Sequence, residues 1–292
     1  MLDFRIDTFL AVCRHMNFTK AAQELNITQP AVSHHIRGLE EYYHTRLFEY
    51  TNKNLKLTEA GRMLLQTAAT MKHDEIHLRQ WIQCLGNSGR KIVFGATMTI
   101  GEYLMPEAFM RLLEKEPQCT IHMVVSDTRD LLSRIDGGEL EFAVVEGFFP
   151  KKDYESLVYD TQRLMVVCGP DYDFAGEICS VEDLTKETLL MREEGSGTRY
   201  VTERYLQEHN LLLQDFTRMM EISSIGAIKS LVMKGVGITI VYEAAVEKEV
   251  KEGLLKEVEV PGFQLYHDFS FIWRKGSIYR DYYQNMYEIL HG

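Results

Sequence analysis

Residues 16–48, which read MNFTKAAQELNITQPAVSHHIRGLEEYYHTRLF, constrain what this chain can fold into more than any other stretch. Apolar residues from Phe18 onward recur at helical spacing, Asn26 ends that helix, and Thr28 can cap a second helix that has Pro30 in its first turn. Two short helices joined by so tight a turn predict a helix-turn-helix, a unit that places its second helix in the major groove of DNA.

The second helix of this unit is apolar on its inner side and carries hydrogen-bonding side chains on its outer side. Glutamine can bond bidentately to adenine, proline or alanine can contact a thymine methyl group, and serine or arginine can hold a phosphate. Residues 47–58 follow as a short two-stranded wing. The predicted contacts to double-stranded DNA, one of them at the wing tip, are Thr19, Lys20, Thr28, Gln29, Pro30, Ala31, Ser33, His34, Arg37 and Lys53. The alternative is a helical hairpin that has no DNA to read.

The segments FTKAAQELNITQPAVSHHIRGLE, RLF and LKLTEAGRMLL resemble the amino-terminal pattern of the LysR-type transcriptional regulators. The match is ungapped, fits nearly every position from Phe4 to about Leu65, and continues more loosely to the end of the chain. In one departure, the family usually has a basic residue shortly after the LF pair, where this chain has Glu49 and Tyr50. That difference puts one phosphate contact of the wing in doubt.

The resemblance implies an α/β protein with an N-terminal winged helix-turn-helix, a long linker helix, and a two-lobed effector domain like that of periplasmic binding proteins. It also implies a homodimer, formed through the linker helix, or a homotetramer. Such a regulator binds DNA, responds to a small effector held between its lobes, and changes the access of RNA polymerase. It is not an enzyme.

Composition is compatible with this interpretation. The chain has 292 residues, enough for two or three domains, and a net charge of −11. Residues 1–58 nevertheless hold seven Lys and Arg against six Asp and Glu, with four histidines, so the acidic excess lies in the rest of the chain. The first residues do not resemble a signal peptide and no apolar run of about 18 residues occurs, so we expect a cytoplasmic protein. Five cysteines without a CxxC pair predict reduced thiols and neither a metal nor a cofactor.

Residues 59–85 contain no proline and predict one long helix. Apolar side chains on alternating three- and four-residue steps form a seam that predicts a partner helix. The seam residues are Leu64, Ala68, Met71, Leu78, Ile82 and Leu85, interrupted at Glu75. His73 and His77 are spaced like a metal pair, but no third ligand is near, so we expect a solvated face there. Residues 86–89 predict a hinge, which divides the chain into 1–58, 59–89 and 90–292.

From Lys91 onward, predicted strands and helices alternate, which is typical of a parallel α/β sheet. We expect one lobe at about 90–161 and 267–292 and a second at about 162–266, with two short strands at 156–159 and 164–167 leading from one lobe to the other. Two crossings between lobes place a cleft at the strand ends, where ligands bind in open α/β sheets.

Two segments carry polar side chains into the predicted cleft, GATMTIGEYLMP and MREEGSGTR. In the second, glycines free the backbone at a helix start and arginines add positive charge, which suits a small anion. This segment resembles that of LysR-type regulators of sulfur assimilation or carbon fixation. The candidate effector-binding residues are Thr97, Met98, Thr99, Ser126, Arg192, Ser196, Gly197, Thr198 and Arg199. Alternatively, the turn is an ordinary helix cap whose arginines pair with Glu193 or Glu194. Glu146 follows the third strand and would repel an anion unless it pairs with an arginine.

An enzyme and a solute-binding protein are the two rival classes. No GxSxG, HExxH, GxxxxGK[ST] or GxGxxG motif stands in a suitable context, and the cysteines have no evident histidine partner. A solute-binding protein would use only residues 91–292 and would need export. Sequence-specific binding to duplex DNA separates the regulator from both rivals.

Overall fold

A computed structural model of the chain describes residues 3–51, 54–84 and 90–292. The predicted wing-tip contact at Lys53, the seam residue Leu85 and the predicted hinge at 86–89 lie outside the described residues. Among the described helices, none is both long enough and apolar enough to cross a membrane.

Three helices and a hairpin form the N-terminal unit, which confirms the winged helix-turn-helix. The elements are α1 (Phe4–His15), α2 (Phe18–Glu24), α3 (Gln29–Tyr42), and the antiparallel strands β1 (Phe48–Thr51) and β2 (Asn54–Leu57). The predicted helical spacing places Ala21 of α2 and Val32 of α3 in a shared core with Phe9 of α1, and all three are fully buried.

The linker helix α4 spans Glu59–Cys84 as one continuous element. One of its sides packs on the first lobe of the effector domain. The Asp74 carboxylate accepts hydrogen bonds from Ser277 Oγ at 2.6 Å and from the Ile278 backbone N–H at 3.0 Å. Such buried, charge-assisted bonds attach the helix firmly to that lobe.

The expectation of a solvated face at His73 and His77 is wrong, because both rings are fully buried under the first lobe. The two nitrogens of His73 lie 2.9 Å from the Ile135 carbonyl oxygen and from the Tyr283 hydroxyl. Burial disfavours the charged imidazole, which lowers the pKa of His73 to about 4 and that of His77 to about 3. Within residues 3–51, 54–84 and 90–292, no three His, Cys, Asp or Glu side chains are grouped so that they could hold a metal ion.

The predicted seam of α4 divides into two parts. Ala68 is buried in the core of the N-terminal unit, so its assignment to a partner helix is wrong, whereas Leu64 packs against that core and is half-buried. Met71, Leu78 and Ile82 are 49%, 45% and 56% exposed. These three residues leave an apolar strip uncovered on the linker, and their contact with a partner helix stays a prediction.

The first lobe is built on parallel strands, as predicted. Strand β3 (Lys91–Ala96) lies between β4 (Thr120–Val125) and β5 (Phe142–Val145), parallel to both. A π-helix at Ile100–Leu104 leads into α5 (Met105–Lys115), and α6 (Thr128–Asp136) connects β4 to β5. The carboxyl ends of β3 and β5 therefore lie side by side.

Two long antiparallel strands run from one lobe to the other, β6 (Tyr154–Cys168) and β11 (Leu265–Arg274). The prediction of two short strands within β6 is wrong. The polar residues 160–163 that suggested a break continue the ladder, with Asp160 opposite Phe269 and Arg163 opposite Tyr266. These residues are polar but remain paired with β11, and pairing with β9 on the other side begins only at Leu164. The interruption of the apolar pattern therefore does not mark a turn.

The second lobe is a smaller α/β unit, and together the lobes confirm the two-lobed architecture. Its parallel strands β7 (Thr188–Met191) and β8 (Arg218–Glu221) are joined by α7 (Gly197–Glu208), while β9 (Thr239–Tyr242) and β10 (Lys256–Glu257) pair with β6. The remaining helices are α8 (Ile225–Met233), α9 (Glu243–Lys251) and α10 (Arg280–His291), the last of which packs on α5 in the first lobe. Helix α9 and strand β10 were not predicted.

Candidate functional site

Side-chain caps fix the geometry of the helix-turn-helix. Asn17 Oδ1 accepts a hydrogen bond from the Thr19 backbone N–H at 2.9 Å where α2 begins. Thr28 Oγ1 accepts one from the Ala31 N–H at 3.4 Å where α3 begins. Asn26 lies between the helices at φ 55°, in the left-handed region that asparagine tolerates better than most residues. These three local features set the angle at which α3 leaves the turn.

The predicted reading residues lie on the solvent side of this unit. Gln29 Nε2 donates to Ser33 Oγ at 2.9 Å, so two of them hold each other on one face of α3. The exposed members are Thr19, Lys20, Thr28, Gln29, Pro30, His34 and Arg37, while Ala31 and Ser33 are half-buried. The arrangement leaves amide, hydroxyl, imidazole and guanidinium groups free to meet a nucleic acid.

The cations of the N-terminal unit fall into two groups. Arg5, Arg14 and Arg46 are neutralised by neighbouring carboxylates. Within the part of the chain that the structure describes, Lys20 and Arg37 form no ion pair. Lys56 on β2 also forms no ion pair among the described residues. Although the charge of the whole unit is small, two of these cations, Lys20 and Arg37, therefore lie among the predicted reading residues.

A second cluster of polar residues lies where the two lobes meet. Thr97 follows β3, Glu146 follows β5, Arg192 follows β7, and Ser196 precedes α7. All four are less than 10% exposed. The Thr97 backbone N–H donates to the Val144 carbonyl oxygen at 3.1 Å, which holds the loop after β3 beside the end of β5. Strand ends from both lobes thus supply one buried site.

Glu146 lies at the centre of this cluster. Thr198 Oγ1, in the first turn of α7, donates to Glu146 Oε2 at 3.3 Å. Gly197 lies so close that a Cβ there would be 2.2 Å from Glu146 Cγ, so a larger residue would displace the carboxylate. Burial raises the pKa of Glu146 to about 7, against the opposing effect of Arg192.

Several buried polar atoms of the cluster have no hydrogen-bond partner among the described residues. They include Thr97 Oγ1, Arg192 Nη1 and Ser196 Oγ. A buried polar group without a partner is costly, so native proteins rarely keep one that no ligand or water satisfies. The cluster therefore has the properties of a binding site.

The two arginines of this region behave differently. Arg192 donates through Nε and Nη2 to both carboxylate oxygens of Glu193, at 2.8 and 2.9 Å. The alternative interpretation, in which Arg192 pairs with Glu193, is thus correct for two of its donor nitrogens. The third, Nη1, has no hydrogen-bond partner among the described residues. Arg199 instead donates to Glu203 at 2.7 Å and to Glu221 at 2.5 Å. Its Nη1 also donates to the Arg192 carbonyl oxygen at 3.3 Å, and Arg199 lines one pocket together with Ser196 and Gly197, so its contact with an effector stays a prediction.

Two segments of the chain match known protein families. Residues 5–62 match the bacterial regulatory helix-turn-helix proteins of the lysR family, and residues 86–291 match the LysR substrate binding domain. The chain is a LysR-type transcriptional regulator. As a member of this family it binds DNA and carries an effector-binding domain, and its relatives are named as transcriptional regulators rather than enzymes.

Three known proteins illustrate the similarity. The probable RuBisCO transcriptional regulator of Cyanidium caldarium is 31% identical over 266 residues, 88% of this chain and 82% of the relative. The HTH-type transcriptional regulator CysL of Bacillus subtilis is 27% identical over 269 residues, 91% of this chain and 89% of the relative. The structure of full-length LysG from Corynebacterium glutamicum, with bound effector Arg, has a TM-score of 0.65 at 17% identity and covers 99% of this chain and 98% of its own.

The remaining predicted effector residues of this LysR-type regulator lie at different distances from the cluster. Thr99 is buried beside Glu146, and Met98 next to it is half-buried. Ser126 lies two residues before α6 and interacts with Asp130. The pKa of the Asp130 carboxyl is lowered mainly by its hydrogen bond with Arg134 and, to a smaller extent, by the one with Ser126. The Ser126 backbone N–H donates to the Ala96 carbonyl oxygen at 3.2 Å, beside the end of β3, and its contact with an effector stays a prediction.

Two further members of the site are not among the predicted effector residues of the regulator, although Glu146 was expected near the cleft as a residue that would repel an anion unless it paired with an arginine. Glu146 follows a buried strand directly, as Thr97 does, and that position was the available signal. Tyr242 ends β9, and its buried hydroxyl lies beside Glu146, where burial raises the pKa of Tyr242. Because Tyr242 reads as the last apolar residue of a core strand, its pattern gives no sign of a functional position.

Proposed function

We propose that this regulator binds a small anion between its lobes, at the start of α7. The supporting observation is a pair of buried donors near that helix terminus, Arg192 Nη1 and Ser196 Oγ, which have no hydrogen-bond partner among the described residues. Helix N–H groups carry a partial positive charge and an arginine adds a full one, so both stabilise a negative group. Arg192 takes the role that the sequence analysis gave to Arg199.

The opposite wall of the proposed site comes from the first lobe. Thr97 and Thr99 are buried on the loop after β3, and Thr97 Oγ1 has no hydrogen-bond partner among the described residues. An anion that accepts hydrogen bonds from both lobes would favour one relative arrangement of the lobes. We propose that this arrangement sets the spacing of the DNA-binding units, and hence the bending of DNA and the access of RNA polymerase.

The proposed DNA contacts centre on Gln29, Ser33, His34 and Arg37, which face away from the core of the N-terminal unit. The exposed strip of Met71, Leu78 and Ile82 supports a homodimer through α4, and we propose that the effector lobes join two such dimers as a homotetramer. We place the regulator in the cytoplasm, because its DNA target lies there.

Titration calorimetry tests the proposed anion site. We expect at least one of sulfate, sulfite, thiosulfate, phosphate or a small carboxylate to bind, and Arg192→Ala to weaken that binding by about 1.5–3 kcal/mol, the value of a charge-assisted hydrogen bond. Arg204→Ala is the control, since Arg204 lies on α7, away from its first turn, is exposed and pairs with Glu208. Its affinity should equal that of the wild type.

Two results would contradict the proposal. One is a tightest ligand that is uncharged or cationic, as the arginine bound to LysG is. The other is an Arg192→Ala variant that binds the anion as well as wild type does. Either result would mean that the polar cluster at α7 is not an anion site.

A further inference from the structure

We infer that the carboxylate of Glu146 is a built-in ligand of the α7 terminus, with which an anionic effector must compete. This inference rests on the proposed function, because it concerns the same site. It assigns to Glu146 the control of which anions bind and of how tightly they bind.

The position of the carboxylate supports this role. Thr198 Oγ1 donates to Glu146 Oε2 at 3.3 Å, and the adjoining Gly197 has no side chain that would keep the carboxylate away. A Cβ at position 197 would lie 2.2 Å from Glu146 Cγ, 2.8 Å from Cδ and 3.1 Å from Oε1. The carboxylate therefore lies against the first turn of α7, where a bound anion would otherwise lie.

The contact also joins the two lobes. Glu146 belongs to the first lobe, directly after β5, whereas Thr198 belongs to the second. The backbone of Glu146 is held in place, because its carbonyl oxygen lies 2.5 Å from His267 Nε2 on the crossing strand β11. A carboxylate that leaves the α7 terminus thus breaks a hydrogen bond between the lobes, which links occupancy of the site to the arrangement of the lobes.

The charges around Glu146 show why an anion and the carboxylate compete. The ionisable groups that face it are Arg192 and Glu193 after β7, Tyr242 at the end of β9, and His267 on β11. Arg192 already forms a bidentate pair with Glu193. If an anion bound at the α7 terminus, the single guanidinium of Arg192 would face two carboxylates and that anion. Glu146 must therefore move away or take up a proton when the anion binds. Its pKa of about 7 makes proton uptake possible near neutral pH.

Calorimetric titration with sulfate tests the inference, since sulfate keeps its charge between about pH 6 and about pH 8. At about pH 8 we expect Glu146→Gln to bind sulfate at least about tenfold more tightly than wild type, because a like charge is removed. Wild type should gain up to about tenfold from pH 8 to pH 6 as Glu146 becomes protonated, whereas the glutamine variant should gain far less.

Glu194→Gln is the matched control, because it removes the same charge from an exposed position in the loop before α7. We expect its sulfate affinity to change less than about twofold. The pH dependence of the wild type needs no substitution, so the inference remains testable if a variant fails to fold.

The outcomes distinguish this inference from the function on which it rests. If wild type binds sulfate equally at both pH values, or if Glu146→Gln binds no more tightly, Glu146 does not compete and the anion site stands without it. If neither protein binds sulfate at either pH, the inference is overturned. If the other anions also fail to bind, the anion site is overturned with it. Tighter binding by Glu194→Gln than by Glu146→Gln would also contradict the inference.

Discussion

The DNA-reading face of α3 and the cleft at the start of α7 are both polar, yet they are built in opposite ways. On α3 the polar side chains are exposed or half-buried, come from one short helix, and are partly bonded to one another, as Gln29 and Ser33 are. In the cleft they are buried, come from four separate segments, and include donors that have no hydrogen-bond partner in the part of the chain that the structure describes. Exposed polar groups cost the fold little, whereas buried ones destabilise it until a ligand satisfies them.

This difference separates what substitutions should do in each region. A change on the reading face should affect DNA binding and leave the free energy of unfolding almost unchanged. A change in the cleft should alter ligand binding and stability together, because the same burial that prepares the site for a ligand also disfavours an isolated charge.

The largest expected effect concerns the linker helix α4, which connects the reading face to the effector lobes and through which we propose that the dimer forms. Replacing both Leu78 and Ile82 by alanine should weaken the dimer by about 4 kcal/mol, because it removes apolar surface that the partner linker would bury. Sedimentation velocity at low concentration should then show monomers. Leu254→Ala, which removes a similarly exposed leucine from the second lobe, is the control. Dimers of wild-type strength in the double variant would show that the strip on α4 is not the interface.

A second test uses the ligand-free protein to measure the cost of the buried carboxylate. Folding raises the pKa of Glu146 from its ordinary value of 4.5 to about 7. Between these values the folded state binds more protons than the unfolded state, so this group's contribution to stability falls as the pH rises. Relative to Glu146→Gln, the wild type should lose about 3 kcal/mol between pH 4.5 and pH 7 and little more above it.

Urea unfolding of both proteins across this pH range measures the difference, in which the effects of other carboxyl groups cancel. A difference that does not change with pH would show that Glu146 is well solvated. The cleft would then resemble the reading face more closely than its burial indicates.

The two regions also differ in how far the sequence predicts them. The helix-turn-helix depends on local signals, namely the cap at Thr28, the left-handed Asn26 and the spacing of Ala21 and Val32, so its helices and outward face could be predicted residue by residue. The parallel strands of the first lobe were predictable for the same reason, since each carries an apolar run and glycines mark the turns on either side of β5.

The cleft could be predicted only in part, because tertiary packing decides which polar residues meet there. Arg192 and Arg199 are the same residue type in the same polar segment, so the sequence does not distinguish them. Because one precedes α7 and the other lies within it, they contact different neighbours. The polar stretch inside β6 looked like a break, although pairing with β11 continues through it. His73 and His77 looked solvated because the lobe that covers them lies far away in the sequence.

A third test concerns the reading face. Gln29→Ala should weaken binding to the operator by about 1–3 kcal/mol and relax the preference for one base pair, because a bidentate contact to adenine is lost. Its free energy of unfolding should match the wild type. Gln23→Ala, an exposed glutamine on α2 outside the predicted contacts, is the control for binding assays on operator and mutated-operator duplexes. An unchanged base preference in Gln29→Ala would refute the assignment of this face.

The smallest expected effect decides which arginine belongs to the cleft. Arg199 pairs with Glu203 and Glu221 on the flank of the second lobe, and the carboxylates there are at least one-third exposed. The Arg199 side chain is only 14% exposed, but both carboxylate partners can be hydrated once it is removed, so its replacement by alanine should change stability and anion affinity by about 1 kcal/mol or less. Calorimetry beside Arg192→Ala gives the comparison directly. If Arg199→Ala loses as much anion affinity as Arg192→Ala does, the guanidinium must turn into the cleft when the anion binds, and sequence proximity would then predict the site better than the ligand-free packing does.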